Sequence, residues 1–159
     1  MNSQIVLGII FLILTVAPIV YFGKVAKNRS LRAKQKLTSY ANEQAITLTE
    51  IEHWNDKSIG ISMELRKLLF VNLDSRNSHT QLIDLTNFRK CTVNVKKQTI
   101  DLVLEPRKTS GTTFQHIELY NDAYDSPNEV GFHHQKAIKW AKTIQQVLNQ
   151  KPTPLRKTA

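Results

Sequence analysis

The stretch CTVNVKKQTIDLVL, residues 91–104, decides what kind of fold this chain can adopt. Cys91, Val93 and Val95 alternate with Thr92 and Asn94, and Ile100, Leu102 and Leu104 alternate with Asp101 and Val103. A period of two puts successive side chains on opposite faces, so both runs read as half-buried strands. Working outward, similar short runs recur. Upstream lie Ile46, Leu48 and Ile51 with Trp54 closing the run, then Ile59-Gly60-Ile61, Leu68 to Val71, and Leu82 to Leu85. Downstream, Phe114, His116 or Ile117, Leu119 and Tyr120 form one more. Polar segments separate them at Asn55-Asp56-Lys57, Asn72 to Thr80 and Arg107 to Thr112. Short strands about 8–12 residues apart, with turn signals between, predict about seven strands in an antiparallel sandwich or barrel.

The period changes near the C-terminus. Phe132, Ala137, Trp140, Ala141, Ile144, Val147 and Leu148 recur at threes and fours, with Lys136, Lys139, Lys142, Gln145 and Gln146 outside the stripe. That spacing predicts an amphipathic helix. Cap-forming residues Asp125 to Glu129 open it, and Pro152 and Pro154 forbid its continuation. One such helix can plug the open end of a curled sheet, with Trp140 filling the mouth. The expectation is an α+β chain whose domain spans 46–150, followed by a flexible tail, 151–159.

Toward the N-terminus, Ile5 to Phe22 is an uncharged block of eighteen residues, and Lys24, Lys27, Arg29, Arg32, Lys34 and Lys36 follow it before any acid. As a helix the block would span roughly 27 Å, near the thickness of a bilayer core. The leading Met1-Asn2-Ser3-Gln4 has no cation, and Pro18 follows the best cleavage candidate, so the block reads as an uncleaved anchor rather than a signal peptide. The basic flank would keep the rest of the chain on the cytoplasmic side. The expectation is a transmembrane helix over 1–23, a basic juxtamembrane helix over 24–45, and an inner-membrane protein with its N-terminus outside. The lone Cys91 suits a reducing compartment.

The formal charge of +9 does not indicate nucleic-acid binding. Between residues 37 and 150 thirteen basic residues meet thirteen acids, so the central domain is neutral and the excess lies in the flanks. The six cations of 24–36 either contact anionic headgroups or only set topology.

Trp54 with Ile59-Gly60-Ile61, Lys67-Leu68-Leu69-Phe70, Ile83-Asp84-Leu85, Lys90-Cys91-Thr92-Val93, Ile117-Glu118-Leu119-Tyr120 and Ala137-Ile138-Lys139-Trp140-Ala141 come in an order that resembles the pleckstrin-homology-like superfold. More narrowly, residues 46–149 look like uncharacterised bacterial membrane-anchored proteins carrying a PH-like domain. The resemblance implies a binding or scaffolding domain and no catalysis. Phosphoinositide-binding relatives have a Lys/Arg-rich first loop. Here that loop is Asn55-Asp56-Lys57-Ser58, with one Lys offset by Asp56.

No catalytic, cofactor or metal constellation is legible. The histidines lack ligand spacing, His133 and His134 diverge by about 100° on a helix, and one Cys cannot make a thiolate site. Cys91 shares its strand face with Val93 and Val95 and reads as a buried thiol. Asp84 and Asp101 read as the outward residues of their strands. Walker A, GxGxxG, GxSxG and HExxH are all missing from the sequence. The expected function is an interaction domain with a protein partner or self-association, and with no small-molecule substrate. Its groove would lie between the C-terminal helix and a sheet edge, rimmed by Tyr124, Asp125 and Trp140. Anionic-lipid sensing and a homo-oligomeric scaffold are the alternatives.

Overall fold

The computed structural model describes residues 3–108 and 111–150, except the side chains of 3–12, 17 and 19–27. The expected tail, 151–159, lies outside the described residues. The order is a long helix α1 (Ser3–Glu43), strands β1 (Glu50–Trp54), β2 (Lys57–Ser62), β3 (Lys67–Asn72), β4 (His79–Asp84), β5 (Phe88–Val95), β6 (Thr99–Pro106) and β7 (Gln115–Asn121), and a helix α2 (Val130–Asn149). Single 3-10 turns precede β5 and α2. The chain is α+β, with a four-stranded sheet β1-β2-β3-β4 and a three-stranded sheet β5-β6-β7.

Two expectations are corrected. The sheets do not close into a barrel. The reason sits at Asp84, whose carboxylate accepts from the Thr86 amide at 2.9 Å and from its hydroxyl at 2.6 Å. That N-cap bends Leu85–Asn87 into a 3-10 turn, so β5 starts a separate sheet instead of pairing with β4. Asp84 is therefore a turn former.

The second correction concerns the anchor. Among the described residues no helix is long and apolar enough to cross a membrane. The expected transmembrane helix over 1–23 falls with it, as does the inner-membrane placement with an outside N-terminus and cytoplasmic domain. Helix α1 does not stop where the apolar block ends; it runs on through Lys24–Lys36 to Glu43. Most side chains of the apolar block Ile5 to Phe22 lie outside the described residues.

The chain divides into two compact units, residues 1–60 with 69–81, and residues 61–68 with 82–159. In the first, Ala33, Leu37 and Ala41 form the buried line of α1 at a spacing of four. The helix ends in a Schellman motif: the Ile46 amide donates to the Ala41 carbonyl at 2.8 Å and the Ala45 amide to Asn42 at 3.0 Å. Ala45 takes the left-handed conformation, φ 52°, that the motif demands. Buried Ile46 supplies its usual apolar contact position. Gly60 is required on β2, because a Cβ there would lie 2.9 Å from a Leu48 methyl and 3.1 Å from one of Leu37.

In the second unit, β5 and β6 pair antiparallel from Lys90↔Glu105 to Val95↔Ile100, and β6 pairs β7 from Ile100↔Tyr120 to Leu104↔Gln115. Leu102, Leu104, Ile117 and Leu119 point into the core, and α2 packs on this sheet, chiefly on β5. Its buried stripe is His133, Ala137, Trp140, Ile144, Val147 and Leu148. Arg66, itself left-handed at φ 53°, closes the last turn by donating to the Val147 and Leu148 carbonyls at 3.1 and 3.2 Å.

Candidate functional site

Strand β5 borders its sheet on one side only: β6 is its hydrogen-bonded neighbour. The hairpin fixes which backbone groups face outward. Lys96 donates to the Thr99 carbonyl at 2.9 Å, so the even-numbered residues Lys90, Thr92, Asn94 and Lys96 spend their backbone groups on β6. The amides and carbonyls of Cys91, Val93 and Val95 then point away from it. Gln145 on α2 confirms that direction, since its side-chain Oε1 accepts from the Cys91 amide at 3.0 Å. Its Nε2 in turn donates to Asn149 at 3.0 Å.

Residues three, four and seven before Gln145 share its face, namely Lys142, Ala141 and Ile138. The helix crosses the sheet, with its His133 end against Tyr120 of β7 and its Gln145 end at Cys91 of β5. Both elements leave apolar surface in solvent: Val95 is 54% exposed and Ile138 38% exposed. The outer side of β5 is therefore a strand edge whose Cys91 amide is taken by Gln145, with Val95 exposed beyond it.

The sequence-derived rim is built differently. Trp140 is 0% exposed and belongs to the core. Tyr124 donates its hydroxyl to Glu118, and Asn121 Nδ2 donates to Glu118 Oε2 at 2.9 Å and reaches the Tyr124 hydroxyl at 3.1 Å. Asp125 accepts from the Asn121 amide at 2.9 Å, while Asn121 Oδ1 accepts from Ala123 at 3.1 Å. Tyr124 and Asp125 therefore hold together the turn between β7 and α2. Next to it stands His133, which sequence reasoning missed. The ring lies fully buried 5.4 Å from Tyr120 and 5.3 Å from Phe132, with Nε2 3.5 Å from Glu129. Phe132, expected in the stripe, is 50% exposed instead. Burial, then Asp122, Asp125 and Glu129, push the Tyr120 hydroxyl above its ordinary range.

The remaining candidates do not converge. Of the basic cluster, Arg29 sits 3.7 Å from Asp56 as a surface pair, and Arg32, Lys34 and Lys36 are exposed. The side chains of Lys24 and Lys27 lie outside the described residues. Burial pushes the Cys91 thiol up to about 12, which leaves it protonated and inert. Asp101, opposite Glu118 across the β6–β7 ladder, is raised first by burial and then by that neighbouring carboxylate. Asp74 is lowered mainly by its hydrogen bond from Arg76, against the opposing effect of burial. Among the described residues no group of three or more His, Cys, Asp and Glu side chains could hold a metal ion.

No protein-family model, curated protein or solved structure matches this chain.

Proposed function

We propose that the chain is a non-catalytic interaction module of the pleckstrin-homology-like kind, which takes an extended polypeptide segment as an added strand on the β5 edge beside α2. The observation that carries this reading is the Gln145–Cys91 hydrogen bond. It identifies the outward-facing backbone of β5 and brings α2 to that edge at Cys91. In strand addition the main chain supplies affinity and flanking side chains supply specificity. Four strands, three strands and a closing helix are also the order that a PH-like domain would have.

The test is amide NMR on the full chain with a set of short peptides alternating Val with Thr, Gln, Glu or Lys. At least one peptide is expected to shift the amides of Cys91–Val95 and Ile138–Gln145. Val93→Pro, which removes an outward amide without touching the β6 ladder, is expected to abolish that response. Shifts centred on residues 118–125 instead, or the same response in Val93→Pro, would defeat the reading.

A further inference from the structure

We infer that His133 makes the first turn of α2 an acid-released latch: as a neutral ring it pins the helix to β7, and on protonation that turn opens. The inference goes beyond the strand-addition reading and does not depend on it.

The buried stripe of α2 runs His133, Ala137, Trp140, Ile144, Val147 and Leu148, and its first member alone can take a proton near neutral pH. That ring is fully buried, tilted against Tyr120 of β7 at 5.4 Å and edge-on to Phe132 at 5.3 Å. The Tyr120 contact holds α2 to the sheet at the end away from the Gln145 bond.

The charged groups around the ring can be weighed one by one. Glu129, one turn back, brings an oxygen to 3.5 Å from Nε2, beyond the ~2.7–2.9 Å of a charge-assisted hydrogen bond. Its side chain is 41% exposed, so water screens its attraction for an imidazolium. Asp122 and Asp125 act on neighbouring Tyr120, but Asp122 is exposed and Asp125 already accepts from the Asn121 amide. On α2 itself Lys136 lies over the Phe132 ring and adds a like charge, while His134 is exposed. From β6, Ile100, Leu102 and Leu104 are buried, and Asp101 alternates to the other face, opposite Glu118. β5 meets the helix at Cys91, and the 3-10 turn before it buries Leu85.

Two effects therefore oppose a cation at this site. Full burial strips the hydration that an imidazolium needs. The first turn of a helix also carries the positive end of its dipole. Once the turn swings into water, the ring ionises at its ordinary value of about 6.5. The open form then binds a proton that the closed form refuses, so opening gains about tenfold for each pH unit below that value.

The test follows amide exchange and histidine ring resonances of the full chain between about pH 7.5 and pH 5, above the ordinary carboxylate range. Protection of the His134–Ala137 amides, corrected for intrinsic exchange, is expected to fall roughly 30-fold, while Leu102 and Leu104 of β6 hold theirs. The His133 ring is expected to stay neutral in the folded chain throughout. His133→Phe, which keeps a ring and removes the proton site, is expected to abolish the fall. A His133 ring that protonates in the fold at or above about pH 6.5 would overturn the inference, and that titration reads on the native chain even where the variant does not fold. Protection that stays level or rises as pH falls would overturn it too, since a closed turn then accepts the proton as readily as an open one. The same fall in His133→Phe would assign it to another group and remove the latch.

Discussion

The two sides of helix α2 spend their polar groups in opposite ways. At its N-terminal end Glu118, Asn121, Tyr124 and Asp125 bond to one another within the turn. Along its C-terminal half one side-chain amide, Gln145, occupies a single strand donor, and the outward groups of Val93 and Val95 follow unspent by the sheet. Both regions are polar, aromatic or charged, and both looked functional in sequence. What separates a structural knot from a receptive edge is whether the hydrogen bonds close on themselves.

The contrast can be broken in stages. Trp140→Ala removes the largest fully buried side chain of α2 and should cost about 3–5 kcal/mol, read by denaturant unfolding. If Trp140 were a ligand platform instead, stability would hold and only binding would fall. Glu118→Ala unties the knot by removing the acceptor that Tyr124 and Asn121 share, and should cost about 1–3 kcal/mol with peptide affinity unchanged. Lost affinity at undiminished stability would show that the turn is part of the site after all. The smallest effect sharpens the comparison from the far face of the sheet. Asp101 has its pKa raised in the fold, so its ionised form is disfavoured there and the penalty grows as pH rises through its native value. Asp101→Asn should therefore stabilise the chain by less than about 1 kcal/mol at pH 7 and bring nothing at pH 3, where the native residue is already protonated. A gain that persists at pH 3 would mean that charge was not the cause.

Much of the fold was legible because alternation is a local signal. The paired run Cys91–Leu104 and the helical stripe ending at Leu148 could be read directly, since burial on one face forces their periods. The misreadings share a physical origin. Phe132 and His133 fit the stripe equally well by spacing, and hydropathy favours Phe, but the ring stacking on Tyr120 is that of His133. The Asp84 cap that turns the chain between β4 and β5, where the two sheets part, is invisible to a strand pattern. The eighteen-residue apolar block was read as a span from length and composition, whereas no described helix is long and apolar enough to cross a membrane; the helix expected after it does continue from the block, as α1. The binding edge was only half visible. A groove between helix and sheet edge was the expectation, but Gln145, which carries the proposed edge, read as an outside residue, because which amides face outward is decided by register.

Arg66 carries a consequence for how the chain comes together in time. Its guanidinium, in the turn between β2 and β3, closes a helix end 81 residues further along. That bond joins two segments far apart along the chain, and contacts of such long sequence separation delay folding. The final turn of α2 is thus the fold's late clasp, fastened from 81 residues upstream by a residue whose folded backbone is left-handed.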